Sequence, residues 1–409
     1  MKKIILSLMI FSVAGLSAQQ VVEDFQPSST NGPNRQYPMV NSQGMVRARI
    51  NAPNANSVQL DIGGVRYDMV KDDAGVWTGT SAPQDVGFHY YQLNIDGANV
   101  PDPGTLFFYG ASRWGSGIEI PSADQDFWQV KNVPQGSVSE VFYWSTYTET
   151  MRRCFVYLPN EYYTNPTKRF PVLYLQHGGG ENEYGWPSQG HTGQIMDNLI
   201  AEGKAVPFII VMDNGQQNVR RAGQEAQAPQ GGFGGQRPAG APQAGQAPQG
   251  GQRPAGQAPQ GQGGQRPGGF GMGGGGFPDI IIQDLIPMIE KKYRVIGDAQ
   301  HRAMAGLSMG GMQTRTITVA NPTKFAYVGL FSGGAISVAD VQDNEGYKET
   351  NKLVFMSAGS EENPARITQA AEELKNIGIN AVSYVSEGTA HEWHTWRRSL
   401  YQFAQLLFK

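Results

Sequence analysis

Ser308 stands in Gly306-Leu307-Ser308-Met309-Gly310, directly after the apolar run Ala303-Met304-Ala305 and before Met312, Ile317 and Val319 at helical spacing. A serine in G-x-S-x-G between a strand and a helix sits on a sharp turn that lifts its hydroxyl clear of the sheet. Glycines flank it because a Cβ there would collide with the neighbouring strand or helix. An alcohol is a poor nucleophile at neutral pH, so it needs a base that titrates near the working pH. Of six histidines, His391 follows the last strand-like run, Ala381 to Val385, in a loop of small residues. His394 is the rival, three residues on, and is expected to be a surface or supporting residue. His89, His191 and His301 are expected to be structural. The base in turn needs a carboxylate to hold its tautomer. Glu361 and Glu362 both follow the strand-like run Leu353 to Ala358, with Asp340 and Asp343 as fallbacks. The oxyanion of a tetrahedral intermediate calls for backbone N–H donors. Met309 supplies one, and the loop His177-Gly178-Gly179-Gly180 supplies another at Gly179, with Gly180 beside it. No His, Cys and carboxylate cluster has metal-ligand spacing, so neither a metal nor a cofactor is expected.

The scaffold that carries these residues divides into two parts. At 409 residues the chain is comfortable as a small domain plus a large one. Residues 35–124 alternate in short strands, clearest at Val46 to Ile50, Ser57 to Ile62, Val76 to Thr80 and Phe88 to Ile95. Asp96-Gly97 forms a hairpin turn. This predicts an all-β sandwich behind an N-terminal segment, 19–34. A polar stretch, 125–139, reads as a linker. From 140 to 409 strands and helices alternate, which predicts an α/β domain with a largely parallel sheet. Serine, acid and histidine then come in the chain order of the α/β-hydrolase fold. Residues 222–277 interrupt this domain with almost nothing but Gly, Gln, Pro and Ala, a composition that predicts disorder. This insert leaves the sheet after Met212 and is either a cover over the site or a tolerated surface expansion.

Residues 1–18 carry Lys2 and Lys3, an apolar core from Ile4 to Leu16, and Ser17-Ala18. That layout predicts a signal peptide cleaved after Ala18, hence a secreted or periplasmic protein. The apolar run is short of the roughly 18 to 20 residues a membrane span needs, so stable membrane insertion is not expected. Net charge is −3 with no long basic run, which argues against a nucleic-acid binder and favours a neutral or weakly charged substrate. Cys154 is the only cysteine and is expected in the core.

The wording of the β-rich region, Gly75-Val76-Trp77, Gly87-Phe88-His89-Tyr90-Tyr91, Asp96-Gly97 and Asp102-Pro103, resembles the immunoglobulin-like carbohydrate-binding modules. Trp77, Tyr90, Tyr91 and Trp114 would then be either a sugar-stacking platform or, the favoured reading, sandwich core and interdomain contact. The larger domain is more specific. Leu173-Tyr174-Leu175-Gln176-His177-Gly178-Gly179-Gly180 with Trp186, Asp197 to Lys204, the elbow, and His391-Glu392-Trp393 with Trp396-Arg397-Arg398 resemble the esterase-D-like feruloyl and acetyl-xylan esterases of carbohydrate esterase family 1. The resemblance implies Glu362 as the acid, Trp186 and Trp393 at the substrate pocket, and plant xylan as the partner. It implies removal of feruloyl or acetyl groups by acyl transfer. The alternatives are a siderophore-lactone esterase, with Arg220 and Arg221 near the pocket, and an inactive glycan-binding protein on the same fold.

Overall fold

A computed structural model describes residues 21–216 and 276–409. The expected signal peptide, Arg220, Arg221 and the insert up to residue 275 lie outside the described residues.

The N-terminal part is two antiparallel sheets packed face to face. One runs in the order Gln26–Pro27, Met39–Val40, Met45–Asn51, Val76–Pro83, Val70–Lys71. The other runs Phe107–Gly110, Arg113–Ile120, Gly87–Ile95, Val58–Ile62, Val65–Asp68, with Ala98–Val100 paired on Gly87–Ile95. Alternation drives the packing: Val58, Leu60 and Ile62 point inward while Gln59 and Asp61 do not, as a two-residue period on a half-buried sheet requires. Val46, Ala48, Leu93 and Ile118 complete a core closed to solvent. The sandwich starts before residue 35, because Gln26–Pro27 pairs with Met39–Val40.

Trp77 and Tyr91 are buried in this core, and Tyr90 points to the other domain, where Gln189 donates to its hydroxyl at 2.6 Å. Only Trp114 of the four aromatics is substantially exposed, at 47%, so they form no common platform.

The α/β domain carries one eight-stranded sheet: β1 (Ser137–Ser145), β2 (Thr150–Leu158), β3 (Val172–Gln176), β4 (Ile209–Asp213), β5 (Arg302–Leu307), β6 (Tyr327–Phe331), β7 (Leu353–Gly359) and β8 (Ala381–Ser386). Its order is β1-β2-β4-β3-β5-β6-β7-β8, antiparallel at β1, β2 and β4 and parallel from there on. The central strands are buried on both faces, which explains their unbroken apolar runs. Helices α1 (Thr192–Ala201) and α4 (Trp393–Ala404) cover one face through Ile195, Leu199, Leu400 and Phe403. Helix α2 (Met309–Ala320), helix α3 (Ala365–Asn376) and the helical segments from Phe277 to Lys292 cover the other. Phe277 is 2% exposed and opens that helical stretch, so the ordered core resumes one residue inside the expected insert. No helix among the described residues is long and apolar enough to cross a membrane.

The expected linker is fixed in place rather than loose. Trp128 is buried and stacks on His191 at 4.6 Å. The Asn198 side chain donates to the carbonyls of Phe127 and Gln129. Beside it Arg397, fully buried on α4, pairs both Nη atoms with Glu119 of the sandwich at 2.7 and 2.9 Å. His394, expected as a surface or supporting residue, is also fully buried at this seam. Its Nε2 lies 3.2 Å from Asp124 Oδ1, and burial lowers its pKa to about 4. The chain carries it inward because α4 presents one face to the sheet and the next to the sandwich.

Candidate active site

β3 and β5 are adjacent and parallel, with Gln176 opposite Gly306. The turns that follow them, His177 to Gly180 and Leu307 to Ser308, therefore leave the same edge of the sheet side by side. β3 is also where the strand order reverses, the place at which open α/β sheets bind ligands.

Ser308 has φ 50° and ψ −116°, a strained backbone for a residue with a Cβ. It is held there by its own N–H, which donates to Phe331 O at 2.7 Å, and by the Met312 N–H, which donates to Ser308 O at 3.1 Å. A Cβ on Gly310 would lie 2.5 Å from His177 O and 2.8 Å from Gln176 O. Glycine there is what lets α2 start against the β3 loop.

His391 Nε2 is 2.9 Å from Ser308 Oγ, and its Nδ1 is 2.5 Å from Glu362 Oε1. An ionised carboxylate only accepts, so Nδ1 carries the proton and Nε2 is left to accept from the serine. The second oxygen of Glu362 accepts from Ser332 Oγ and from the Gly359 N–H, both at 2.7 Å. Partial burial pushes the Glu362 pKa up, but hydrogen bonds from His391, Gly359 and Ser332 outweigh it and leave the pKa below the usual glutamate value. Trp396 Nε1 donates to Ser332 Oγ at 3.1 Å and so fixes the serine that fixes the acid. Gly359 brings the two loops together, since a Cβ on it would fall 2.1 Å from Thr389 O.

The remaining candidates separate clearly. Glu361 is exposed. Asp340 caps the short helix Val338–Val341 and pairs with Arg315. Met309 opens α2, where a first-turn N–H has no intrahelical acceptor. Gly179 lies against it: a Cβ on Gly179 would be 4.0 Å from Met309 Cβ. Gly180, at φ 76°, turns its carbonyl to the sandwich, where the Ser112 N–H donates to it at 2.7 Å. Trp186 and Trp393 are 1% and 2% exposed and pack edge to face at 5.3 Å. Trp186 donates to Gln176 O and Trp393 to the Tyr90 hydroxyl. Both are thus core supports under the β3 loop, not walls of a pocket. His177 is buried, with Nδ1 on Gly178 O and Nε2 accepting from the Gly215 N–H. Among the other histidines, His191 is stacked in the seam and His301 pairs with Asp298.

Ser332 carries a part of this site that the sequence did not single out. Gly359, as a glycine ending a strand, offered a local signal. Ser332 offered none, because its partners, Glu362 and Trp396, lie 30 and 64 residues further along the chain.

The arrangement can move a proton from Ser308 to His391 while the carboxylate of Glu362 stays ionised. Among the described residues no group of three or more His, Cys, Asp or Glu side chains could hold a metal ion.

Comparison with known proteins accords with a hydrolytic site. The Esterase family model matches residues 145–237 and 240–406, more than half of the chain. The chain is 42% identical over 404 residues to an endo-1,4-beta-xylanase/feruloyl esterase of Xylanibacter ruminicola, covering 97% of this chain and 49% of that protein. It is 23% identical over 288 residues to endo-1,4-beta-xylanase Y of Acetivibrio thermocellus, covering 62% of this chain and 21% of that one. The chain thus spans half or less of the length of these relatives. Among solved structures, the CE1 ferulic acid esterase of Anaeromyces mucronatus, in complex with ferulic acid, matches with a TM-score of 0.50 and 18% identity, over 70% of this chain and 96% of that one. The enterochelin esterase of Shigella flexneri matches with a TM-score of 0.55 and 15% identity, over 92% and 95%. At these identities the structures share the fold, and it is the family match that identifies the chain as a member of the Esterase family.

Proposed function

We propose that this protein removes hydroxycinnamoyl (feruloyl) or acetyl groups from plant xylan, through an acyl-enzyme on Ser308. The observation that carries the chemistry is the hydrogen-bonded series from Ser308 Oγ through His391 to Glu362. Ser308 Oγ bonds to the ester carbonyl carbon as His391 Nε2 takes the hydroxyl proton. The oxyanion is met by the Met309 and Gly179 N–H groups, with Gly180 behind. Collapse of the intermediate breaks the ester C–O bond, and His391 returns the proton to the departing sugar oxygen. Water repeats the sequence on the acyl-enzyme and releases the acid. Glu362 keeps the imidazole in the required tautomer and stabilises its charged form.

The substrate class is supported by the feruloyl esterase named among the relatives, and the proposed setting is outside the cytoplasm, after removal of residues 1–18. Release of acid from feruloylated arabinoxylan, acetylated xylan and a catecholate trilactone, measured side by side for the wild type and Ser308→Ala, tests the reading. Turnover of a xylan ester that Ser308→Ala abolishes supports it. Turnover of the trilactone alone would move the protein to siderophore release, and no turnover of any ester would sink the enzymatic reading.

A further inference from the structure

The oxyanion loop is held from behind by the other domain. Glu181, the residue after Gly180, is 5% exposed and turns back under the loop. Its Oε2 accepts from the Gly178 N–H at 3.3 Å, and its Oε1 accepts from the Tyr90 hydroxyl, also at 3.3 Å. Tyr90 belongs to the sandwich strand Gly87–Ile95. Its oxygen accepts from Gln189 Nε2 at 2.6 Å and Trp393 Nε1 at 3.2 Å, and its proton is shared between Glu181 and Tyr109 O. On the far side of the loop, the Ser112 N–H donates to Gly180 O at 2.7 Å.

Ser112 and Ala111 form the tip of the sandwich hairpin between Phe107–Gly110 and Arg113–Ile120, with φ 61° and 49°. A two-residue turn with positive φ at both positions normally selects Asn and Gly. Here two residues with a Cβ adopt it, and the turn's backbone lies against Gly180, whose added Cβ would be 3.5 Å from Ser112 N. The residues on either side of Gly179, Gly178 and Gly180, are thus both tied to the sandwich, one through Glu181 and Tyr90 and one directly.

We propose that the N-terminal sandwich is part of the catalytic apparatus, with Tyr90 and Glu181 acting as positioning residues that set the Gly179 N–H for the oxyanion. This rests on the acyl-transfer reading above. Burial pushes the Glu181 carboxyl up to about 7, against hydrogen bonds from Gly178 and Tyr90 that pull it down. A carboxyl kept in so costly a place is consistent with a role beyond packing.

The test is steady-state kinetics on 4-nitrophenyl acetate and methyl ferulate for the full chain, with Ser308→Ala as control and thermal melting on every variant. Displacing a reacting partner by about 1 Å costs roughly a hundredfold. Glu181→Ala should therefore lower kcat tenfold to a hundredfold with KM within about threefold. Glu181→Gln, whose amide oxygen can still accept from Gly178, should recover most of the loss. Tyr90→Phe should lower kcat in the same sense, and it serves if Glu181→Ala does not fold. Unchanged kcat in the folded variants, a loss confined to KM, or a Gln variant as poor as the Ala variant would overturn the proposal. Wild type without turnover, or Ser308→Ala with it, would instead overturn the acyl-transfer reading beneath it.

Discussion

Arg397→Met offers a direct measure of how firmly the two domains are joined. The guanidinium is fully buried, donates to both oxygens of Glu119 at 2.7 and 2.9 Å, and donates through Nε to Gln189 O at 2.7 Å. It also lies over the Trp128 ring at 4.6 Å. Methionine keeps a similar length and the apolar contact, so the change mainly strips Glu119 of its counter-charge. Glu119 is itself 5% exposed, and breaking a buried pair from one side costs about 3–5 kcal/mol, because the remaining charge has neither water nor partner. In a protein of this size that corresponds to a fall in melting temperature on the order of 5 °C. Calorimetry and urea titration followed by tryptophan fluorescence would record it. Adding Glu119→Gln removes the orphaned charge, and the double variant should regain a large part of the stability. A loss below about 1 kcal/mol for Arg397→Met would show that the pair does not hold the seam. A double variant no better than the single one would show that the cost came from packing instead.

Exchanging Glu362 for Gln should reduce kcat by roughly ten-thousandfold, since an amide cannot hold the imidazole tautomer. Glu361→Gln, at an exposed side chain, should stay within about twofold in the same ester assay. Gly310→Ala forces a Cβ to within 2.5 Å of His177 O, so the elbow must shift; activity should be lost along with about 1–3 kcal/mol of stability, read by a urea midpoint. Glu181 should also leave a mark on the pH dependence of stability. Its folded pKa is raised, so the folded state holds the proton longer, and stability declines as pH rises from about 4.5 through about 7. The gap is worth roughly 3 kcal/mol. Urea midpoints at pH 5 and pH 8 should differ less in Glu181→Gln than in the wild type.

Much of this protein could be read residue by residue. Alternation in Val58–Ile62 and unbroken apolar runs in Val172–Gln176 and Ile209–Asp213 marked one sheet as half-buried and the other as fully buried, because burial acts locally on each strand. Gly306 and Gly310 marked the elbow because a Cβ is excluded there by its immediate neighbours. Other features depend on partners far along the chain. The residues alone left Glu361 and Glu362 equivalent. Folding decides between their surroundings: the turn at Ser360–Glu362 and the close pass of Gly359 against Thr389 aim one carboxylate at His391 and leave the other exposed. Trp186 and Trp393 stood in motifs that suggested a pocket, yet ring size and spacing carry no record of which side of a loop they take, and packing placed them beneath it. The same holds for Glu119 and Ser112, whose strand and turn predict only a sandwich. That they reach across to Arg397 and Gly180, and that Tyr90 among the aromatics expected in the core or at the interdomain contact is the one that meets Glu181, is set by how two separately legible domains meet.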